Sequence, residues 1–314
     1  MGNRQISFWV AAVWLFLAGA GLAGDLQVDP SVVDGGPYHR IISLYGAHTE
    51  NLLALGAASR LAGIDGQSVH LPGAGGKAVF SYHDDPERFL AARPDLVLIR
   101  PMIARGYPRL VRRLRQSGIR VVSLQPTTVD QLAGYWSLLG QLADREPQAD
   151  RMIRVFERSV AGFKRLSAQV QKRERVYFEA IHSKMKTFTP QAMAIFALET
   201  AGGINVAADA PVRENNNIAV YGKERLLSHA AEIDVFLSQQ GAMNQTSVAA
   251  IMAEPGFGVI RAIKTGRVFQ VDETMVSRPT LGLLNGIYHI GCLLYPDLYG
   301  SAGRDILASA GIDG

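Results

Sequence analysis

The sequence predicts an α/β protein of two Rossmann-like lobes, each built around a parallel sheet, joined by one long α-helix. Short β-prone runs alternate with helical patterns, the same order recurs in the second half, and a helical segment separates the halves. Strands that alternate with helices form parallel sheets with right-handed crossovers. The length of 314 residues also suits two domains of roughly 130 residues better than one core.

The first lobe is predicted over residues 39–145. Its β-prone runs and helical patterns are typical of repeated strand–helix units. The predicted strands are 40–45, 61–65, 95–99 and 120–124, and the predicted helices are 50–55, 87–92 and 107–117.

The second lobe, over residues 174–314, repeats this order. Predicted strands at 175–179, 234–237 and 266–271 accompany helical patterns at 193–200 and 224–227. The clearest similarity between the two halves is that of Glu87-Arg-Phe-Leu to Glu224-Arg-Leu-Leu. Each of these segments precedes an aspartate at the start of a predicted strand.

Residues 146–173 are predicted to form the linker helix. Apolar side chains repeat there at helical intervals, and after Pro147 the segment contains no proline. A helix of about 25 residues is about 38 Å long, which is enough to span both lobes. We expect a single rigid connector of this kind to restrict how far the lobes open.

The first 24 residues predict a signal peptide, because Arg4 precedes an apolar run at 8–23 that ends in small residues. A retained membrane anchor is the alternative, since the run is only slightly shorter than a bilayer span. Cleavage leaves a flexible N-terminal arm at 25–38 and indicates a periplasmic location. Cys292 is the sole cysteine, which excludes disulfide frameworks and paired-thiolate metal sites. Basic residues are scattered, and those at 109–115 indicate a solvated helix face, so no nucleic-acid partner is expected.

Four motifs in order carry a family resemblance: RIISLYGAHTENLLALG at 40–56, ARPDLVL at 92–98, AGGINV at 201–206 and GRVFQVD at 266–272. The chain resembles the helix-linked substrate-binding proteins of ABC importers that take up cobalamin, haem and ferric siderophores. The resemblance implies a ligand held between two lobes and delivered to an inner-membrane permease. It also implies that Glu87 and Glu224 dock on that permease. We expect a monomer with no resident cofactor, whose ligand contains iron or cobalt.

Candidate ligand contacts are polar, aromatic or methionine side chains in the loops after predicted strands, since ligands bind at the carboxyl ends of parallel strands. The predicted set is Tyr45, His48, Tyr82, His83, Arg100, Met102, Gln125, His182, Lys184, Met185, Gln239 and Arg278. His48 and His182 are also candidate metal ligands, because neutral imidazole binds iron and cobalt. The cationic members suit an anionic ligand or a chelate.

Two alternatives remain open from the sequence. A protein that transports free metal ions would bring three or four histidine and carboxylate ligands together. A secreted metal-dependent hydrolase is less favoured, because residues 25–314 contain no nucleophile elbow, paired zinc-binding histidine motif or phosphate-binding loop. We therefore expect a binding protein and not an enzyme.

Overall fold

A computed structural model of the protein describes residues 36–212 and 216–312. The predicted signal peptide at 1–24 and the first part of the predicted arm, 25–35, lie outside these described residues. Within the described residues, no helix combines the length and apolar character that a membrane span requires.

The first lobe contains a parallel sheet with strand order β3-β2-β1-β4-β5, and helices connect successive strands. Ile41, Ile42 and Ser43 of the central strand β1 pair with β2 on one side and β4 on the other, and all three are buried. The lobe comprises β1 Ile41–Ser43, α1 Gly46–Ala54, β2 Leu61–Asp65, β3 Ala78–Phe80, α2 Pro86–Ala92, β4 Leu96–Ile99, α3 Pro101–Gly106, α4 Pro108–Gln116, β5 Arg120–Ser123 and α5 Leu132–Ala143.

The linker helix α6, Glu146–Ser167, is shorter than the predicted 146–173. Its 22 residues are about 33 Å long at about 1.5 Å per residue. The apolar repeat ends at Leu166, and the polar residues that follow have no core face to bury. This loss of amphipathicity accounts for the earlier end.

The second lobe contains the remaining elements in the order of the chain. They are β6 Arg175–Ile181, β7 Lys186–Phe188, α7 Met193–Thr200, β8 Ile204–Asn205, β9 Ile218–Val220, α8 Lys223–Ser228, β10 Val235–Gln240, α9 Val248–Met252, α10 Arg261–Lys264, β11 Val268–Asp272, α11 Glu273–Val276, α12 Gly282–Leu294, α13 Pro296–Tyr299 and α14 Ala302–Ser309.

The second sheet is mixed and departs from the predicted all-parallel arrangement. Its order is β11-β10-β6-β7-β9, with β8 also paired to β6. Strands β6, β10 and β11 are parallel, but β7 runs antiparallel to both β6 and β9. Only the short turn 182–185 separates β6 from β7, and Met185 takes a left-handed conformation there. A parallel crossover needs a dozen or more residues, so this turn forces an antiparallel pairing.

One apolar core runs through both lobes and is organised around α6. The ring of Phe156 lies between Trp136 of the first lobe and Phe196 of the second, at centroid distances of 5.2 Å and 6.5 Å. Further along the helix, Phe163 stacks on Tyr299 at 6.2 Å. Separate cores cover the other face of each sheet. The linker is therefore a shared structural element and not an exposed tether.

We predict that Phe163→Ala lowers the free energy of unfolding by about 3–5 kcal/mol, because Phe163 is fully buried and its removal leaves a cavity. Urea unfolding followed by circular dichroism measures the change. Glu157→Ala, at an exposed position of the same helix, is the matched control and should change stability little. Equal losses in both variants would contradict the role of α6 as a core element.

Candidate functional site

Three side chains that follow strands of the first sheet line one cavity of about 320 Å³. Tyr45 follows β1, Tyr82 follows β3 and Arg100 follows β4. The carboxyl ends of parallel strands lie at one edge of the sheet, which explains why residues so far apart in sequence meet there. The other residues around the cavity are Leu44, Gly46, Asp65, Gly66, Gln67, Val79, Phe80 and Ser81.

Tyr45 and Arg100 contact each other in the wall of this cavity. The Arg100 guanidinium carbon lies 5.2 Å from the centroid of the Tyr45 ring, in cation–π contact. Burial raises the pKa of the Tyr45 phenol, and the charges of Arg100 and Arg278 offset part of that rise. The phenol is therefore neutral at physiological pH and offers an O–H donor beside a fixed positive charge.

The second lobe closes against this region through residues 278–280. The Asn51 side chain donates a hydrogen bond to the Pro279 carbonyl oxygen at 2.9 Å, and the Trp136 indole N–H donates to Asn51 at 3.1 Å. Arg278 reaches the first lobe and lies against Gly46. A Cβ atom at position 46 would lie only 3.2 Å from a guanidinium nitrogen of Arg278. Gly46 thus leaves the space that this arginine occupies, and the structure places Arg278 beside the Tyr45–Arg100 pair.

A carboxyl group is buried next to this contact. Burial raises the pKa of Glu50, while a hydrogen bond to Thr280 and the charge of Arg278 act in the opposite direction. Glu50 therefore lies beside Arg278 at the contact between the lobes, where the carboxyl group and the guanidinium attract each other.

His48 lies in the core, and this geometry does not support its prediction as a ligand contact or metal ligand. Its side chain is fully buried, with Nδ1 2.7 Å from the Tyr135 hydroxyl and Nε2 3.1 Å from the Ile99 carbonyl oxygen. Nε2 must donate to that carbonyl, so Nδ1 accepts from Tyr135. Burial lowers the pKa of His48 to about 4. The neutral ring is a structural support beneath Tyr45.

His182 is also engaged by protein groups. Its Nδ1–H donates to the buried Glu179 carboxylate at 2.8 Å, and Nε2 lies 3.7 Å from Glu254. The hydrogen bond to Glu179 is the main reason why the pKa of His182 is raised. The Nδ1 atom that donates to Glu179 has no free lone pair for a metal ion, and Nε2 faces the Glu254 carboxylate. Among the described residues, no group of three or more His, Cys, Asp or Glu side chains could hold a metal ion.

An aromatic cluster stands beside the cavity and includes one residue that the sequence analysis missed. The rings of Tyr82 and His83 lie 4.4 Å apart, and Tyr107 lies 4.8 Å from Tyr82 and 5.1 Å from His83. His83, a predicted ligand contact, is exposed. Tyr107 caps the end of α3 and the start of α4, and Pro108, which is favoured at the first position of a helix, was the available signal for this break between helices.

The remaining predicted contacts do not join this cavity. Met102 and Met185 pack against the cores of their own lobes, and Lys184 is exposed. Gln239 is buried, where its side chain accepts a hydrogen bond from the Ser277 hydroxyl. Gln125 is half-buried after β5.

The two predicted docking glutamates occupy equivalent places in the lobes. Glu87 lies in the first turn of α2 and Glu224 in the first turn of α8, and both are exposed. Arg113 of α4 lies 3.6 Å from the Glu87 carboxylate. At such exposed positions the pair contributes little to stability and leaves Glu87 available to a partner.

We predict that His48 makes the protein less stable in acid. The unfolded chain, with a histidine pKa near 6.5, binds more protons than the folded chain down to about pH 4. Stability therefore falls as the pH falls through this window, by about 3 kcal/mol from His48 alone.

Urea unfolding between pH 4 and pH 7.5 tests this prediction. The loss of stability in acid should be smaller in His48→Gln than in the parent, and unchanged in the exposed control His70→Gln. If His48→Gln and the parent lose stability in parallel, His48 does not carry the acid sensitivity.

Comparison with known proteins identifies relatives across most of the chain. The periplasmic binding protein family matches residues 41–275. The ABC transporter substrate-binding lipoprotein YvrC of Bacillus subtilis, described as uncharacterized, is 21% identical over 277 residues, covering 83% of this chain and 81% of the relative. The vitamin B12-binding protein of Vibrio cholerae is 23% identical over 256 residues, covering 81% and 88%.

A solved structure of a possible iron-binding periplasmic solute-binding protein from Staphylococcus epidermidis superimposes with a TM-score of 0.71. It is 25% identical, and the match covers 83% of this chain and all of that one. This match agrees with the two-lobed α/β fold predicted from the sequence.

Proposed function

We propose that this chain, which belongs to the periplasmic binding protein family, is the substrate-binding component of an ABC importer. It captures an iron chelate, haem or corrinoid between its lobes and delivers this ligand to an inner-membrane permease. The observation that carries this proposal is the cavity at the edge of the first sheet, where Tyr45 and Arg100 face the interface with Arg278. No bond is made or broken, so affinity and release are the whole function.

The chemistry of the cleft favours a large anionic or chelated ligand. Guanidinium groups pair with carboxylate or phosphate groups, and the tyrosine rings offer flat apolar surface. Relatives named for vitamin B12 binding and for possible iron binding fit this ligand class. A transporter of free metal ions would need converging metal ligands, and the described residues contain no such group. The proposed ligand contacts are accordingly Tyr45, Tyr82, His83, Arg100, Tyr107 and Arg278.

Residues 39–145 and 174–314 act in this proposal as two bodies connected by the linker segment 146–173. The continuous core around α6 supports closure through a small angle only. Removal of residues 1–24 as a signal peptide would place the protein in the periplasm, where it acts as a monomer. The exposed Glu87 and Glu224 then meet cationic groups on a two-fold permease, in contacts that are fast and sensitive to salt.

We predict that one of haem, cyanocobalamin or a ferric siderophore binds stoichiometrically to protein from residue 25 onwards and shifts its ultraviolet–visible spectrum. Arg100→Gln should weaken that binding about 10- to 100-fold, since a lost charge-assisted hydrogen bond costs about 1.5–3 kcal/mol. Arg109→Gln, on the exposed face of α4, is the control and should bind like the parent.

Tight binding of a bare metal ion, together with no spectral change on addition of any of the three chelates, would overturn the proposed ligand class. It would favour the free-ion alternative instead. No binding of any of these candidate ligands would remove the support for a role in transporting this chemical class.

We predict that the double variant Glu87→Ala, Glu224→Ala abolishes uptake of the ligand into cells while ligand affinity stays unchanged, because both carboxylates lie outside the cavity. Uptake of radiolabelled ligand and an equilibrium titration measure the two properties. Glu146→Ala with Glu157→Ala removes the same charge from exposed positions on α6 and should leave uptake intact. A large loss of affinity in the docking variant would refute the assignment.

A further inference from the structure

Helix α4 carries a row of arginines on the surface of the first lobe. Its buried side chains Leu110, Val111 and Leu114 pack into the separate core that covers one face of the first sheet. The helical repeat directs the positions between them outward, and most of these positions hold arginine. Together with the last turn of α3, they form an exposed group that we call the arginine patch: Arg105, Arg109, Arg112 and Arg113.

The patch carries charge that the folded protein does not balance. Residues 100–120 contain seven arginines, no lysine and no aspartate or glutamate. Among the described residues, Arg113 alone of the four lies within ion-pair distance of a carboxylate, at 3.6 Å from Glu87. The other three positive charges therefore face solvent without a counter-charge in the part of the chain that the structure describes.

Helix stability does not account for this arrangement. Arg109 lies in the first turn of α4, which has no acidic residue, although the helix dipole favours anions there. Arg109 also precedes Arg112 by three positions and Arg113 by four, which are the spacings at which like charges destabilise a helix. The linker helix α6 shows the favourable pattern, with an acidic first turn and a basic last turn. The patch therefore opposes the stability of its own helix, which indicates an anionic partner outside the chain.

The composition and position of the patch favour a surface of phosphate groups as that partner. Guanidinium is planar and pairs bidentately with phosphate, whereas lysine acts as a point charge, and the patch contains only arginine. None of its four side chains lines the ligand cavity. They lie on an exposed helix face, which encloses no site for a single small anion. An extended anionic surface can contact all of them at once.

We propose that the arginine patch binds the headgroup phosphates of anionic phospholipids in the membrane that holds the permease. The proposal rests on the proposed function for the location of the protein beside that membrane. Arg113 connects the patch to the docking site of the first lobe, because its guanidinium lies beside Glu87 of α2. When Glu87 meets the permease, the patch therefore faces the lipid that surrounds the permease.

Binding of this kind is weak and reversible. Each arginine near an anionic membrane contributes about 5-fold to the affinity, so three arginines contribute about 100-fold. Salt screens these charges, because they lie at the surface of the protein. The patch thus concentrates the protein at the membrane and leaves it free to dissociate.

Co-sedimentation with lipid vesicles tests the proposal on protein from residue 25 onwards, which lacks the apolar run at 8–23. In low salt the protein should bind vesicles of equal parts phosphatidylglycerol and phosphatidylcholine, and high salt should abolish this binding. It should not bind vesicles of phosphatidylcholine alone. Absence of binding to the anionic vesicles, or equal binding to both kinds, would overturn the proposal.

Two triple variants test the patch itself. Arg105→Gln with Arg109→Gln and Arg112→Gln should lower the affinity for anionic vesicles about 100-fold. Lysine at the same three positions keeps the charge and should restore most of the binding. Urea unfolding should show that the glutamine variant is no less stable than the parent, because like charges have been removed. Unchanged affinity of the glutamine variant would refute the assignment.

A matched control separates the patch from the net charge of the protein. Arg151→Gln with Arg154→Gln and Arg158→Gln removes the same charge from exposed positions of α6. This variant should keep most of the affinity for anionic vesicles. An equal loss in the patch variant and in this control would show that binding follows net charge and would refute the assignment to the patch.

Ligand binding and uptake distinguish this inference from the proposed function. Chelate affinity should not change in the glutamine variant of the patch, because none of the three arginines lines the cavity. Protein that binds a chelate but not anionic vesicles refutes the lipid contact alone. Protein that binds anionic vesicles but no chelate supports the lipid contact and refutes only the proposed ligand class. If the parent binds no vesicles and uptake into cells still falls in the patch variant, the patch contacts the permease, and the lipid contact is refuted.

Discussion

The continuous apolar packing around α6 is the constraint on which the rest of the structure depends. Phe156 contacts Trp136 of the first lobe and Phe196 of the second, so both lobes bury surface against the same helix. A protein interior is close-packed, and its rearrangement costs free energy at each contact that opens. The lobes can therefore rotate only within the range that keeps these rings in contact. A binding protein with this linker holds its cleft nearly formed before the ligand arrives, which limits the ordering cost of binding.

The same core fixes the cleft residues through a chain of polar contacts. Tyr135 donates to His48, and Asn51 contacts both the Tyr135 hydroxyl and the Pro279 carbonyl of the opposite lobe. His48 is neutral because burial lowers its pKa, so this chain needs no counter-ion. Tyr45 packs edge-on against His48 at a centroid distance of 5.1 Å. The position of the Tyr45 phenol is thus set by a buried network that also connects the two lobes.

The sequence predicted the two-lobed fold, apart from the direction of β7, and three of the residues that line the cavity of the first lobe. Alternating strands and helices predicted the two lobes, and the rule that ligands bind at the carboxyl ends of strands predicted Tyr45, Tyr82 and Arg100. The rule could not show that the His48 side chain lies in the core and not in the cleft. A residue in the first turn of α1 faces one or the other according to how the helix packs on α5. The antiparallel direction of β7 results from the short turn that precedes it, and apolar periodicity in the sequence gives no signal for that turn.

Two arginines and two carboxyl groups act on Tyr45 at the cleft, namely Arg100, Arg278, Glu273 and Glu50. Arg100 and Arg278 have no carboxylate within ion-pair distance among the described residues, although Glu50 lies close to Arg278. Burial raises the pKa of Glu50 and of the Tyr45 phenol, and the charge of Arg278 opposes the rise at both groups, while the phenol stays neutral. An anionic group entering between the arginines would raise the pKa of Glu50 further, because like charges disfavour ionisation. Arg100 and Arg278 beside the neutral Tyr45 phenol thus offer donors to the anionic or polar shell of a chelate, which is the basis of the proposed ligand class.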